Sequence, residues 1–398
     1  MEHVHHHKIA VVGTGPAGLI AALALHSANA EVISVGPAPA ASDARTTALM
    51  MPAVHFLEKL GVWNRIAEHA TSLKTMRIVD GTTRLIRGST VTFRASEIGE
   101  EAFGYNIPNI ALNRALATAM TDVGLARIEK NVGSYHVSKD HISVEAADGE
   151  QLLAGLVVAA DGRSSLARES AGIGVSSWKY PQTAIVLSFS HAREHENIST
   201  EFHTEHGPFT QVPLAGRRSS LVWVVNPAIA AELLALDDKA LSQRIESRMQ
   251  SMLGKVSVEG RPQAWPLSGL IPTTFAKNRT ILIGEAAHVF PPIGAQGLNL
   301  GIRDVEALID CFSADSEDAG EQRNLEKYNR SRRVDILART GSVDILNRSL
   351  LTDLLPAQLA RGIGLEALRT FSPLRAFMMR EGLRPGSGFS ALSLLSRK

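Results

Sequence analysis

The sequence of 398 residues contains a single cysteine, Cys311, and no apolar run near the ~18 residues that a membrane-spanning helix needs. One cysteine excludes an internal disulfide framework and suits a reducing compartment such as the cytoplasm. With 41 basic and 40 acidic residues the net charge is only +1, so there is little electrostatic attraction to nucleic acid. We therefore expect a cytoplasmic protein without a nucleic-acid partner, in which Cys311 is a small core residue.

Several catalytic signatures are also missing from the sequence. It has no C-x-x-C pair, no H-E-x-x-H motif and no recognisable Ser/His/Asp arrangement. The histidine-rich start, "MEHVHHH", is assigned no function, and no metal site is predicted. These absences mean that the sequence shows no signature of a catalytic triad, a redox-active cysteine pair or a zinc peptidase site.

The segment "VVGTGPAGL" combines three glycines with the start of a helix. A short β-branched strand precedes it, an alanine-rich helix opens at Pro16 and Ala17, and a second strand, "EVISV", follows. In such a βαβ unit, Gly13 allows a turn, Gly15 lets the backbone approach a pyrophosphate, and Gly18 lets helix and strand pack closely. The pattern predicts a dinucleotide site at the helix N-terminus, and a merely structural glycine-rich turn is the alternative.

One part of the dinucleotide pattern is absent. An acidic residue usually ends the second strand and binds the adenosine ribose, but Gly36 occupies that position. Glu31 lies at the wrong end of the strand and Asp43 lies several residues late. Loss of this charge-assisted bond weakens binding by about 1–3 kcal/mol. The sequence therefore predicts a cofactor that is easily lost during purification.

A second glycine- and proline-rich loop, "GEAAHVFPPIGAQGLNLG", follows the strand "TILIG". Proline stiffens this loop at Pro292, while Gly294 and Gly297 permit close approach of the backbone. An amphipathic helix begins there, and its positive N-terminus would stabilise a ring that becomes anionic on reduction, as a flavin does. We predict that Glu285 reaches the cofactor edge, with a structural strand–helix turn as the alternative.

The remaining segments divide the chain into alternating α/β and strand-rich parts. Longer, partly alternating strands such as "TAIVLSFS" and "SSLVWVV" indicate an antiparallel sheet, whereas "LVVAADG" is typical of a buried parallel strand. The predicted division is 1–74, 98–181 and 266–315 for the α/β parts, 75–97 and 182–265 for the strand-rich parts, and 316–398 for a helical C-terminal region.

Three segments together resemble a known family. "GTGPAGL", "AADGRSSLAR" and "GEAAHVFPPIGAQGLNLGIRD" are similar to the three fingerprints of the FAD-dependent aromatic hydroxylases, the p-hydroxybenzoate hydroxylase class. Shorter pieces, among them "RTTALM", "GYNIPN", "SLVW" and "MMREGL", are similar to its ubiquinone-biosynthesis branch. The resemblance implies an α/β fold: a Rossmann-like FAD-binding domain, an inserted antiparallel-sheet substrate domain and a helical C-terminus.

The resemblance also implies roles for individual residues. It places Arg45, Pro292 and Gly294 beside the flavin ring as catalytic candidates. Glu285 replaces an aspartate and Ala295 replaces a glycine of the family pattern. Without the resemblance, Asp161 is as readily a helix cap and Arg45 an ion-paired surface residue. The implied cofactor-binding residues are Gly13, Gly15, Pro16, Ala17, Gly18, Arg45, Asp161, Gly162, Gly284, Glu285, Pro292, Gly294, Ala295, Gln296, Gly297, Leu298 and Asn299.

The activity that the resemblance implies is that of an FAD-dependent monooxygenase. Such an enzyme uses NAD(P)H and O2 to hydroxylate a phenol, here a polyprenylated ubiquinone precursor, through a flavin C4a-hydroperoxide. Other ubiquinone-biosynthesis proteins are possible partners, and the segment 365–386 either rests on a membrane surface or covers the core as a C-terminal helix. The alternatives are a flavin oxidoreductase without oxygen insertion and a non-catalytic member that binds quinone precursors.

Overall fold

The computed structural model describes residues 5–39, 43–82, 88–292, 296–311, 318–351 and 355–384. The strands are β1 (His5–Val12), β2 (Val32–Val35), β3 (Thr46–Met50), β4 (Thr71–Ser72), β5 (Thr75–Asp80), β6 (Val91–Arg94), β7 (Gly104–Pro108), β8 (Ala126–Ile128), β9 (Val132–Val137), β10 (Ile142–Ala146), β11 (Gln151–Ala159), β12 (Val175–His191), β13 (Ile198–Thr204), β14 (Gly207–Leu214), β15 (Arg218–Val225), β16 (Val256–Pro272), β17 (Ala276–Lys277) and β18 (Thr280–Leu282). The helices are α1 (Pro16–Ser27), α2 (Met51–Lys59), α3 (Trp63–Ala67), α4 (Asn109–Asp122), α5 (Leu166–Ser170), α6 (Pro227–Ala235), α7 (Asp238–Arg248), α8 (Gly297–Cys311), α9 (Gln322–Leu351), α10 (Leu355–Thr370) and α11 (Ser372–Leu383), with short 3-10 helices at Ala95–Ile98 and Gly284–Ala286.

A mainly parallel sheet forms the first layer of the fold. Its central order is β18–β11–β1–β2–β8, all parallel, with β17, β9 and β10 added antiparallel. Ile9, Ala10 and Val11 of β1 are fully buried, and α1 is buried from residue 18 to residue 25. Burial on both faces explains why these strands are continuous apolar runs. The sheet and its helices confirm the predicted α/β layer, in which Cys311 of α8 is buried.

A second sheet has the order β16–β12–β15–β14–β13–β5–β6. Its neighbouring strands are antiparallel, as predicted, except that β13 pairs with β5 in parallel. The exception arises because β5 comes from a segment far earlier in the chain, so no hairpin imposes an antiparallel direction. Helices α6 and α7 cover one face, where Phe189, Phe209 and Ile245 are fully buried.

Strands β12 and β16, of 17 residues each, are neighbours at one edge of the second sheet and pair along their length. Their register joins Val175 with Pro272 at one end and His191 with Val256 at the other. The predicted boundaries at 182 and 265 therefore fall inside two paired strands. The division of the chain into domains stays a prediction.

The C-terminal part of the described chain is helical, as predicted. Helix α8 packs against α1, and α9 packs against α8 and against β17 and β18. Helices α10 and α11 lie beside β6 and the 3-10 helix at Ala95–Ile98, where Met379 is buried with Ala95 and Phe103. A small third sheet, β3–β7–β4, packs against α2, α4 and α8 and against β14 of the second sheet.

Candidate active site

The glycines of the first fingerprint, Gly13, Gly15 and Gly18, differ in why a glycine suits each position. Gly13 has φ +116°, and an added Cβ would collide with the Ala160 carbonyl. A Cβ on Gly18 would collide with the carbonyl of Gly13. Both glycines are therefore needed for packing of β1, α1 and β11. Around Gly15, no described atom lies within 4 Å of the position of an added Cβ, so the backbone there borders open space.

That open space is part of a cleft of about 840 Å³, which we call the main cleft. All three fingerprint segments contribute to its wall. Of the predicted residues, Gly13, Gly15, Pro16, Ala17, Arg45, Asp161, Gly162, Gly284, Glu285, Gly297 and Leu298 line it. Gly18 is buried in the helix packing, and Pro292 is exposed away from the lining. Gln296 and Asn299 line a different cavity, while Gly294 and Ala295 lie outside the described residues.

Asp161 uses only one carboxylate oxygen within the protein. Its Oδ2 accepts a hydrogen bond from the Ala167 backbone at 3.1 Å, at the start of α5. Its Oδ1 is buried in the cleft wall without a partner in the described ranges, and the same holds for the hydroxyl of Tyr135. Burial raises the pKa of Tyr135. Asp161 is thus part of a helix cap, and it retains one free acceptor that a ligand hydroxyl can use.

Arg45 is held by two neighbours at the rim of the main cleft. Its guanidinium forms a bidentate pair with Asp43, with nitrogen–oxygen distances of 2.8–2.9 Å, and lies 5.1 Å from the ring centre of Trp265. Burial raises the pKa of Asp43, but the bonds from Arg45 outweigh burial and lower it overall. Asp43 is therefore committed to Arg45, so it does not replace the acid that is missing at Gly36.

Glu285 stands at the edge of the cleft with its side chain 56% exposed. Its nearest charged partner is Arg163, at 3.6 Å between Nε and Oε2. An exposed pair at this distance contributes little to stability. The carboxylate is therefore available to a bound hydroxyl.

The chain is similar to known proteins in sequence and in fold. The FAD binding domain family matches residues 6–338. The chain belongs to this family. Its relatives include "Ubiquinone hydroxylase UbiL" of Rhodospirillum rubrum, 31% identical over 94% of this chain and 89% of that protein. "3-demethoxyubiquinol 3-hydroxylase" of Escherichia coli is 30% identical over 94% and 98%. The solved structure of p-nitrophenol 4-monooxygenase PnpA from Pseudomonas putida has a TM-score of 0.78, with 20% identity over 96% and 97%, and shares the fold.

The comparisons confirm the resemblance to FAD-dependent aromatic hydroxylases, and the chain is an FAD-dependent monooxygenase. The main cleft fits FAD by its own chemistry. The open backbone at Gly15 and the N-terminus of α1 suit a pyrophosphate. Asp161 and Glu285 offer acceptors for hydroxyl groups. When bound, FAD supplies the redox chemistry that activates O2, and NAD(P)H supplies the electrons.

A buried ionic network behind the cleft was not predicted. Asp304 of α8 is completely buried and accepts hydrogen bonds from the backbone of Gly284, His288 Nε2 and Arg332 Nε at 2.9, 2.7 and 2.8 Å. Burial raises the pKa of Asp304, but His288 and Arg332 outweigh burial and lower it overall. The network joins the turn after β18 to α8 and α9. The only signal in the sequence was Asp304 in "GIRD", because Arg332 is distant in the chain.

The first turn of α8 separates the main cleft from a second cavity. Gly297 and Leu298 line the main cleft, whereas Gln296 and Asn299 line the second cavity. The Asn299 side chain accepts from the Met50 backbone at 2.8 Å and donates to the carbonyl of Ala48 at 2.7 Å. It therefore ties the helix to β3. A flavin ring at this end of the main cleft would adjoin the second cavity.

This second cavity, which we call the apolar cavity, has a volume of about 670 Å³. It lies between α8, α10 and α11 on one side and β5, β6 and β13 on the other. Its apolar lining consists mainly of Met50, Met76, Ile78, Phe93, Phe103, Leu365, Leu368, Leu374, Met378, Met379 and Leu383. The sequence did not reveal this cavity, since its walls come from segments that are far apart in the chain.

Proposed function

We propose that this monooxygenase hydroxylates a phenol that carries a long apolar side chain, as polyprenylated ubiquinone precursors do. The observation that carries this proposal is the apolar cavity beside the flavin end of the main cleft. Its volume suits a ligand much larger than a single ring, and its lining suits a hydrocarbon chain. The relatives named as ubiquinone hydroxylases support the same substrate class.

The arginine side chains at the apolar cavity are paired with other protein groups. Arg303 and Arg339 line it, but both pair with Asp335, at 3.0 and 3.2 Å. Arg339 also donates to Gln296 at 2.6 Å. Arg332 also binds Asp335, at 2.9 Å, so this one carboxylate is shared by three guanidinium groups. Because most of the lining is apolar, a phenol with a hydrocarbon tail fits this wall.

The activity can be tested by incubating the FAD-loaded enzyme with NADH or NADPH and with phenols of increasing alkyl or prenyl chain length. We expect a product heavier by one oxygen atom, and the lowest KM for the longest chains, because each buried methylene contributes ~0.8 kcal/mol. Oxidation of NAD(P)H without a hydroxylated product from any phenol would favour an oxidoreductase that does not insert oxygen. Failure to bind FAD would favour a non-catalytic protein.

Filling the apolar cavity should impair only long substrates. Gly364 and Gly382 line it, and no described atom lies within 4 Å of a Cβ added at either position. We expect Gly364→Phe and Gly382→Phe to raise the KM for a long-chain phenol by roughly tenfold or more, because a phenyl ring displaces part of the chain. The KM for a short-chain phenol should change little in the same steady-state assay.

Gly362→Phe is the matched control, because Gly362 lies on the same helix as Gly364, also has open space, and is not part of the lining. It should leave both KM values unchanged. A loss of activity toward short and long phenols alike would contradict the assignment of this cavity to the substrate chain.

We also propose that α10 and α11 contact a membrane surface, from which a long-chain substrate would enter. Ile363 of α10, Phe371 between the helices and Met378 of α11 are 70%, 58% and 48% exposed. Two basic residues lie nearby in the sequence: Arg380, and Arg369, which pairs with Glu366. Apolar side chains with neighbouring cations are typical of helices that rest on anionic bilayers. None of the helices that the structure describes is both long and apolar enough to cross a membrane.

Flotation with liposomes that contain anionic lipid tests this contact. The triple variant Ile363→Ser/Phe371→Ser/Met378→Ser should lose most of the bound fraction, because the buried apolar area and its contribution disappear. The control Val123→Ser/Leu234→Ser removes apolar side chains that are 46% and 42% exposed elsewhere on the protein. Equal flotation of both variants and the wild type would refute the membrane contact.

A further inference from the structure

Two polar side chains, Glu201 and His203, stand in the part of the apolar cavity wall that β13 forms. They are two residues apart on one strand, so both leave the same face of the sheet. His203 Nε2 lies 2.9 Å from Glu201 Oε1, and Glu201 Oε2 accepts a hydrogen bond from Thr210 Oγ1 at 3.2 Å. The His203 side chain is 6% exposed and the Glu201 side chain is 19% exposed, so the pair is fixed in an environment from which water is largely excluded.

The charge state of Glu201 determines what His203 can do. Burial raises the pKa of Glu201, but the bonds from His203 and Thr210 outweigh burial and lower it overall. An ionised carboxylate only accepts hydrogen bonds, so the proton between the two residues belongs to His203 Nε2. In the neutral imidazole the other nitrogen, Nδ1, then carries a lone pair and is an acceptor.

His203 Nδ1 is buried and has no hydrogen-bond partner among the residues that the structure describes. A buried acceptor without a partner is costly, and such atoms are usually satisfied by a ligand or a water molecule. A hydroxyl group is the simplest donor for an imidazole lone pair in an otherwise apolar wall. Because His203 lines the apolar cavity, the hydroxyl of a bound substrate is the donor that we consider for this nitrogen.

We propose that His203 is a catalytic residue that accepts the proton of the substrate's phenolic hydroxyl, and that Glu201 is a positioning residue that orients the imidazole. This inference rests on the proposed function, because it requires a phenol in the apolar cavity. The phenolic O–H bond breaks, its proton binds His203 Nδ1, and the oxygen keeps the electron pair. The resulting imidazolium is stabilised by the Glu201 carboxylate, and the proton returns to the product oxygen.

Removal of this proton promotes the reaction because it makes the ring more electron-rich. Aromatic hydroxylation transfers an electrophilic oxygen to a ring carbon, so a phenolate reacts faster than a neutral phenol. A histidine is suited to this step because its ordinary pKa lies near neutral pH. The arrangement of base and carboxylate is the one in which a carboxylate fixes the tautomer of the base.

Other charges near the pair will affect its titration. Asp80 is the register partner of His203 on β5, and Arg303, Glu306 and Arg339 also line the cavity. Burial raises the pKa of Glu306. Each pH series therefore needs the variant and the wild type under identical salt, so that these common contributions cancel.

The first test measures ionisation of a bound probe without turnover. The probe is a 4-nitrophenol with a long alkyl chain, whose anion absorbs visible light, bound to the FAD holoenzyme. We expect its apparent pKa in the wild type to lie about one unit or more below that in Glu201→Gln/His203→Phe, because only the wild type offers a base. The double variant avoids leaving a buried, unpaired carboxylate. Equal apparent pKa values, or a probe that does not bind the wild type, would overturn the proposal.

The second test measures turnover and includes a chemical rescue. With an ordinary long-chain phenol, Glu201→Gln/His203→Phe should lower kcat roughly 10²- to 10⁴-fold, with a smaller change in KM. With a ring-fluorinated phenol that is already ionised at the assay pH, its kcat should approach that of the wild type. Glu201→Gln should show a smaller loss and the same rescue. Equal loss with both phenols would show a structural role only, and no loss would remove His203 from the reaction.

The two tests distinguish this inference from the proposed function. If the wild-type holoenzyme hydroxylates no long-chain phenol, the proposed function fails, while the probe titration still shows whether His203 accepts a phenolic proton. If the wild type hydroxylates the phenol and the variants do so equally well, the proposed function stands and the inference fails.

Discussion

Replacing Gly15 with alanine should weaken FAD binding roughly 10- to 100-fold and leave the stability of the FAD-free protein almost unchanged. The backbone at Gly15 has φ −70° and ψ 168°, which alanine adopts readily, and no described atom lies within 4 Å of the new Cβ. The methyl group would instead occupy the path of the pyrophosphate and remove at least one charge-assisted bond of about 1.5–3 kcal/mol. Titration of FAD fluorescence gives the Kd, and thermal melting without FAD gives the stability.

Two other glycines are controls for this prediction. Gly341→Ala, in α9, also meets no described atom and should leave the Kd unchanged, since it lies away from the main cleft. Gly13→Ala should lower the melting temperature itself, because its φ is +116° and its Cβ would collide with the Ala160 carbonyl. An unchanged Kd in Gly15→Ala would show that the pyrophosphate does not approach this turn.

Replacing Asp304 with alanine should destabilise the protein by about 3–5 kcal/mol, because it leaves the buried guanidinium of Arg332 without its main counter-charge. The variant also removes the acceptor for His288 and for the Gly284 backbone, which borders the main cleft. We therefore expect weaker FAD retention as well. Urea denaturation of the FAD-free protein measures the free energy of unfolding apart from any change in cofactor binding.

Glu232→Ala is the matched control, since Glu232 forms a 2.7 Å ion pair with Arg244 in which both side chains are more than half exposed. Loss of such a pair should cost at most about 1 kcal/mol. A similarly small cost for Asp304→Ala would mean that Arg332 readily finds another partner.

The Asp304 network should also make stability depend on acid pH. The pKa of Asp304 is lowered in the folded state, so its contribution is present above the unfolded pKa, near 3.9, and is lost as the pH falls through the folded value. The stability advantage of the wild type over Asp304→Asn should therefore shrink as the pH falls below about 4. Urea denaturation at several pH values measures this difference.

How much the sequence predicted depended on how local each feature is. The strand, the turn at Gly13 and helix α1 follow one another directly, so spacing and residue type were sufficient to predict them. The antiparallel strands were also predicted, but the parallel pairing of β13 with β5 was not, because nothing local sets the direction of strands that are more than one hundred residues apart. Asp304 and Arg332 were missed as a pair for the same reason.

Predictions for individual site residues are limited in the same way, because the contacts of a side chain depend on segments that are distant in the chain. Asp161 was expected either to cap a helix or to serve the cofactor, and the structure shows one oxygen in a cap and the other without a partner in the described part. Asn299 was predicted to bind the cofactor, and this stays a prediction; its side chain ties α8 to β3 at the wall of the apolar cavity. A residue list from a motif does not say toward which side of a helix each side chain points.

The order and content of three glycine-containing segments were enough, without coordinates, to identify an FAD-dependent hydroxylase, because a turn that admits a pyrophosphate restricts residue type within a few neighbouring positions. Only the tertiary structure revealed the apolar cavity, the buried Asp304 network and the Glu201–His203 pair, in which His203 Nδ1 has no partner among the described residues. Their parts meet through packing of distant segments, and packing depends on the sum of many weak contacts that no short stretch of sequence contains.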